Sequence, residues 1–119
     1  MQKTKRAWTY CRVDAPEDTH SRLNMQKTEL LDYAEQMNFK VVGSSEDIGS
    51  GLDFERPGLL KVMKAAGAGK FDVLLIKQLA RLGRDMIKTI EFFKGLEQLN
   101  ILVYSTLEGE ITSLDAIDI

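Results

Sequence analysis

The chain has 119 residues, 44% of them hydrophobic and 29% charged, a balance that suits one soluble globular domain and excludes a disordered chain. A formal net charge of −2 excludes a strong, indiscriminate nucleic-acid binder, so any nucleic-acid site has to be local. One cysteine, Cys11, excludes an internal disulfide; with no signal peptide and no bilayer-length apolar run, the reducing cytoplasm is the expected setting and no membrane partner is expected.

Residues 7–13 (AWTYCRV) are rich in aromatic and β-branched side chains and predict a first strand. A polar loop with Pro16 follows, containing His20. Ser21 is a candidate N-cap for a helix over 22–37, with Leu23, Leu30, Leu31 and Ala34 at helical spacing on its inner face. A short strand is predicted over 39–43, then a polar, glycine-rich loop through Gly51. Pro57 suits a first helical turn, and a helix is predicted to about Ala68 with Leu59, Leu60, Val62 and Met63 inward.

Residues 71–77 (FDVLLIK) form a nearly unbroken apolar run, the pattern of a strand buried on both faces. A helix follows over 86–99, with Ile87, Ile90, Phe93 and Leu96 inward. Residues 101–104 predict a fourth strand, and 105–112 can turn back as an edge strand. The alternation predicts an α/β three-layer sandwich around a mostly parallel four-stranded sheet, with that edge strand added.

Sites in such sheets gather at the carboxyl ends of the strands. There the sequence sets Arg12 and Asp14, then Ser44 to Asp47 and Arg56, then Lys77, Arg81 and Arg84, and finally Ser105 and Thr106. Any one arginine can be a surface ion-pair partner. As a set they suit a phosphate, whose oxygens the guanidinium fork matches. Cys11 falls on the opposite strand face from Arg12 and reads as a core thiol. The lone His20 has no cysteine or histidine nearby to make a metal site. Trp8, Phe71, Phe92 and Phe93 read as core or interface aromatics.

Several segments together resemble the serine recombinase family, the resolvases and invertases. Tyr10-Cys11-Arg12-Val13-Asp14 resembles the family's Y-x-R-V-S, Leu23 to Gln26 its L-x-x-Q, and Asp47 to Gly51 its D-x-x-S-G. Arg56-Pro57-Gly58-Leu59 matches R-P-G-L, and Lys77 to Asp85 matches K-x-L-D-R-L-G-R-D except at Ala80. The resemblance spans roughly residues 6–112 and implies a resolvase-like catalytic domain over 1–119, without the family's long C-terminal helix and separate DNA-binding domain. It implies strand cleavage and rejoining through a 5′-phosphoseryl link, with no metal or other cofactor. Arg12, Arg56, Arg81 and Arg84 would hold the phosphate, and Gln26 would order the site. The implied partners are DNA, met mainly through the absent C-terminal region, and further copies of the chain in a dimer or tetramer.

Two departures from the family pattern stand out. Asp14 occupies the position of the serine nucleophile, and Ala80 replaces an aspartate beside Arg81. An ionised carboxylate at Asp14 repels a phosphate or binds the arginines in its place, so the chain is expected to fold without cleaving DNA. A regulatory module derived from a recombinase is the alternative reading. A phosphoacceptor receiver fits poorly, because the third strand ends in Lys77-Gln78 rather than aspartate. A dinucleotide-binding fold fits poorly too, because 48–51 lacks the full glycine fingerprint.

Overall fold

The computed structural model describes residues 4–13, 19–49, 56–79, 82 and 85–113. Their order is β1 (Arg6–Val13), α1 (Thr19–Gln36), β2 (Lys40–Ile48), α2 (Pro57–Gly67), β3 (Val73–Ile76), α3 (Met86–Gln98), β4 (Leu102–Ser105) and β5 (Gly109–Ile111). The five strands form one sheet in the order β2-β1-β3-β4-β5. The first four run parallel, and β5 returns antiparallel along β4, as the edge-strand reading anticipates.

Three layers follow from strand alternation. Ala7, Cys11, Val13, Val73 and Leu75 pack against Leu23, Leu30 and Ala34 of α1. Tyr10, Leu74, Ile76 and Val103 face the other way, against Leu59 and Val62 of α2 and Phe92, Phe93 and Leu96 of α3. All four residues of β3 are buried, as a strand covered on both faces requires.

Several expectations are corrected. The second strand is not confined to 39–43 but runs to Ile48, so Ser44, Ser45, Glu46 and Asp47 lie in the strand and not in a following loop. An edge strand tolerates polar residues, and here they alternate: Ser45 and Asp47 are buried while Ser44 and Glu46 are exposed. The first helix starts at Thr19, which places His20 in the helix and Ser21 inside its first turn, so Ser21 is not the N-cap. Leu31, Leu60 and Ile87 are exposed rather than inward. Each has a neighbour one or two places away, Leu30, Leu59 or Thr89, that takes the inner position. The third strand is shorter than 71–77, and the fourth is shifted by one residue to include Ser105.

The sheet order reverses between β1 and β3, the switch point where open α/β sheets form clefts. β1 pairs with β3 only through Ala7, Trp8 and Thr9, while it pairs with β2 as far as Val13. Its last residues therefore project beyond β3, leaving main-chain groups that need other partners.

Candidate active site

Gln26 supplies those partners. It sits on the inner stripe of α1 among Leu23, Leu30 and Ala34, and is itself buried. Its carboxamide oxygen accepts from the Arg12 N–H at 3.1 Å, and its nitrogen donates to the Arg12 carbonyl at 3.3 Å. The side chain thus does what a neighbouring strand would do, and fixes the end of β1 where Arg12 sits.

Arg12 shares its strand face with Tyr10 and is only 1% exposed. Its Nη1 donates to the Gly49 carbonyl at 2.6 Å, just past the end of β2. A guanidinium this deep needs acceptors to offset its desolvation. The Gly49 carbonyl is one, and Arg12 has further interactions besides.

Arg56 arrives from a different element. It is the N-cap residue of α2, extended at φ −71° and ψ 141°, with Pro57 in the first turn behind it. Its own side chain does not cap the helix. That task falls to Asp47 on β2, whose Oδ1 accepts from the Gly58 N–H at 2.7 Å and whose Oδ2 accepts from the Leu59 N–H at 2.9 Å. The Tyr10 hydroxyl donates to the same Oδ2 at 2.8 Å. A carboxylate at the positive end of a helix, holding three donors, locks β1, β2 and α2 together.

The Arg56 side chain, all donors and so unable to cap a helix N-terminus, lies over Tyr10 instead. Its Cζ lies 6.0 Å from the centre of the Tyr10 ring, at the outer limit for a cation–π contact. Its Nη2 donates to the Leu82 carbonyl at 2.7 Å. Arg56 is 5% exposed, yet its Nε and Nη1 have no hydrogen-bond partner among the described residues. Burial pushes the Tyr10 phenol well above the usual tyrosine range; the Arg56 charge opposes this, Asp47 reinforces it, and the more weakly felt Arg12 opposes it.

The structure joins Gln26 of α1 to Arg12 of β1, and sets Arg56, at the start of α2, over Tyr10, two residues before Arg12 on the same strand face. Asp14, Arg81 and Arg84, together with Ala80, lie outside the described residues. Lys77 is turned to the α1 side, where its Nζ is 3.8 Å from a Glu29 carboxylate oxygen. That pair helps line an open cavity of about 130 Å³ beside Val13 and Gln26. Cys11 is buried in the α1-side core, and its thiol is pushed up to about 12, chiefly by burial, so it is no nucleophile at neutral pH.

Two of these roles carry no local sequence signal. Asp47 reads as the start of the D-x-x-S-G match in a loop, and the helix it caps begins ten residues later, so only the fold reveals the cap. Glu108 falls in the predicted return to the edge strand, with no pattern that marks it. Its Oε1 accepts from the Leu79 N–H at 2.9 Å and from the Ser105 hydroxyl at 2.6 Å. The Thr106 hydroxyl donates to the Lys77 carbonyl at 3.0 Å. The β4–β5 turn thereby fastens the segment that leads from β3 towards Arg81.

A mostly parallel sheet with a reversal beside β1, and arginines on that strand and at the start of α2, fits the catalytic domain of the serine recombinases. The chain belongs to that family: the model for "Resolvase, N terminal domain" matches residues 7–118. Over 116 residues it is 33% identical to a protein of Acanthamoeba polyphaga mimivirus described as "Putative resolvase", covering 92% of this chain but only 58% of that one. It is similar to the C-terminal catalytic domain of ISC1926 TnpA, an IS607-like serine recombinase, at 32% identity and a TM-score of 0.78, covering 84% of this chain and 66% of the other. It is similar to the N-terminal catalytic domain of TP901-1 integrase at 25% identity and a TM-score of 0.81, covering 96% and 88%. No helix among the described residues is long and apolar enough to cross a membrane.

Proposed function

We propose that residues 1–119 form a recombinase catalytic domain that keeps a basic rim for a DNA phosphate but does not cut the strand, because Asp14 stands where the attacking hydroxyl belongs. The observation that carries this reading is Arg56: a nearly buried guanidinium whose Nε and Nη1 have no partner among the described residues, lying over Tyr10 on the strand face that also carries Arg12. Leaving such donors unpaired costs about 1–3 kcal/mol each. An anion seated at the rim would recover that cost. Arg81 and Arg84 complete the set in this reading, and Gln26 acts by positioning Arg12.

Family chemistry would have a serine oxygen attack phosphorus in line, forming a phosphoseryl bond as the 3′ oxygen leaves with a proton. The arginines would stabilise the charge that builds on the phosphoryl oxygens. A carboxylate at Asp14, about 4 Å from a phosphate, would oppose binding by about 4 kcal/mol at an effective dielectric of 20. Ala80 removes an acid that could orient Arg81. Through regions beyond this chain, the protein would assemble on DNA as a dimer or tetramer in the cytoplasm.

The test is incubation of the full-length protein, its Asp14→Ser variant and the Asp14→Ser/Ala80→Asp variant with supercoiled DNA carrying its sites. The expected result is covalent protein–DNA product only when a serine is restored. Covalent product from the unaltered protein would overturn the proposal.

A further inference from the structure

Away from the arginine rim, on the same sheet face, an open cavity of about 250 Å³ lies beside the last turns of α2. It is lined by Trp8, Lys61, Lys64, Ala65, Ala68 and Lys70. Trp8 is four residues before Arg12 on β1, about 13 Å along the strand. The two places are thus separate sites on one wall.

The indole is built into this wall. β1 and β2 slip register between Ala7 and Trp8, which sets Trp8 opposite Gly43. A Cβ at residue 43 would come within 2.3 Å of the six-membered ring, so only glycine lets the indole lie there. Its Nε1 donates to the Ser45 hydroxyl at 3.0 Å, and Phe71 packs against it with ring centres 5.7 Å apart. Ser45 in turn donates to the Gly58 carbonyl at 2.8 Å. The ring is held on these sides, yet remains only partly buried.

Among the described residues, the cavity lining carries three ammonium groups and no carboxylate. Lys61 and Lys64 are one turn apart on α2, and Lys70 follows the helix. All three are exposed, and no ion pair to a described residue engages them. In a chain of net charge −2, such a cluster is a local reversal of sign. Lys64 alone would be explained by the negative end of the α2 dipole. Three lysines framing a fixed indole exceed that need.

We infer that this cavity is a second nucleic-acid contact, in which Lys61, Lys64 and Lys70 take successive backbone phosphates of a single strand and a base meets the partly exposed Trp8 ring. Ammonium groups bind phosphate as point charges. A partly exposed aromatic ring among them favours a base-bearing anion over a bare phosphate, because bases stack on aromatic side chains. The inference does not depend on the rim's being a scissile-phosphate site, since neither Arg12 nor Arg56 lines the cavity.

Trp8 is the single tryptophan, so its fluorescence reports this site alone. The experiment titrates the protein at low salt with a twelve-nucleotide single strand, and separately with inorganic triphosphate. The strand should produce a saturable fluorescence change. Three phosphate contacts on a single strand give a salt slope of about −2, so a fourfold rise in salt should weaken binding roughly 20-fold. The Lys61→Gln/Lys64→Gln/Lys70→Gln variant, which alters only exposed side chains, should lose that salt dependence and bind at least tenfold more weakly, with an unchanged thermal melt. Arg56→Gln should leave the Trp8 response intact, whatever it does to the rim. No saturable change, an equal response in the triple-lysine variant, or equal affinity for triphosphate would each overturn the inference.

Discussion

Asp47→Asn should be the most revealing conservative change in this chain. The carboxylate accepts from Tyr10, Gly58 and Leu59 at 2.8, 2.7 and 2.9 Å, and it is buried. Asparagine keeps one acceptor oxygen, able to serve Gly58. It turns an NH₂ group towards the Leu59 N–H and the Tyr10 hydroxyl and removes the charge from the start of α2. Two lost charge-assisted bonds at about 1.5 kcal/mol each give about 3 kcal/mol, more than the roughly 0.5–2 kcal/mol of a lost helix cap alone, because the Tyr10 bond goes as well. With about 2.1 cal/mol/K of unfolding entropy per residue over 119 residues, each kcal/mol moves Tm by about 4 °C, so the expected fall is about 12 °C. Urea and thermal unfolding of Asp47→Asn, Tyr10→Phe and the double variant measure it. Tyr10→Phe alone should cost about 1–2 kcal/mol, and the double variant should fall short of the sum by more than 0.5 kcal/mol. An Asp47→Asn protein within 0.5 kcal/mol of the parent, or strictly additive losses, would refute the view that this carboxylate locks three elements together.

Other outcomes follow from the same geometry. Gly58→Ala should destabilise by about 2 kcal/mol in urea, although alanine is the better helix former by about 1 kcal/mol, because its Cβ would meet the Glu46 carbonyl oxygen at 2.4 Å and Asp47 Oδ2 at 2.7 Å; a gain in stability would contradict the packing described. Glu108→Ala should leave the melt nearly unchanged but speed hydrogen exchange at the Leu79 amide by tenfold or more, since that N–H loses its acceptor; an unchanged exchange rate would remove Glu108 from its role. Burial raises the Cys11 thiol to about 12 and raises the Tyr10 phenol as well, so both groups hold their protons more tightly folded than unfolded. That stabilisation is fully present below about pH 9 and is lost as pH rises towards 12; the urea midpoint should fall steadily above pH 9, and a flat profile to pH 11 would argue against either group being buried.

The sequence made the layers legible where burial is uniform. Residues 73–76 are apolar without a break because both faces are covered, and Leu23, Leu30 and Ala34 mark the inner stripe of α1. It was less legible where two apolar residues are adjacent. Leu30-Leu31 and Leu59-Leu60 each offer two candidates for one inner position, and only the packing partner chooses between them. The end of β2 was hidden for another reason: Ser45 and Asp47 look like loop residues, but their polar atoms are satisfied by α2, which no local pattern reveals. Arg12 and Gln26 could be named from the family resemblance. Their joint geometry, a carboxamide standing in for a missing strand, required the mismatch between the lengths of β1 and β3. The capping of α2 by Asp47 was likewise invisible until both ends were placed.

The most direct measurement is a titration with inorganic phosphate, followed by the NMR signals of the arginine Nε–H groups, in the parent chain and in Asp14→Asn. The account predicts that Arg12 and Arg56 respond together with a single affinity, and that neutralising Asp14 tightens it by tenfold or more. Independent responses at the two arginines, or an affinity indifferent to Asp14→Asn, would contradict it.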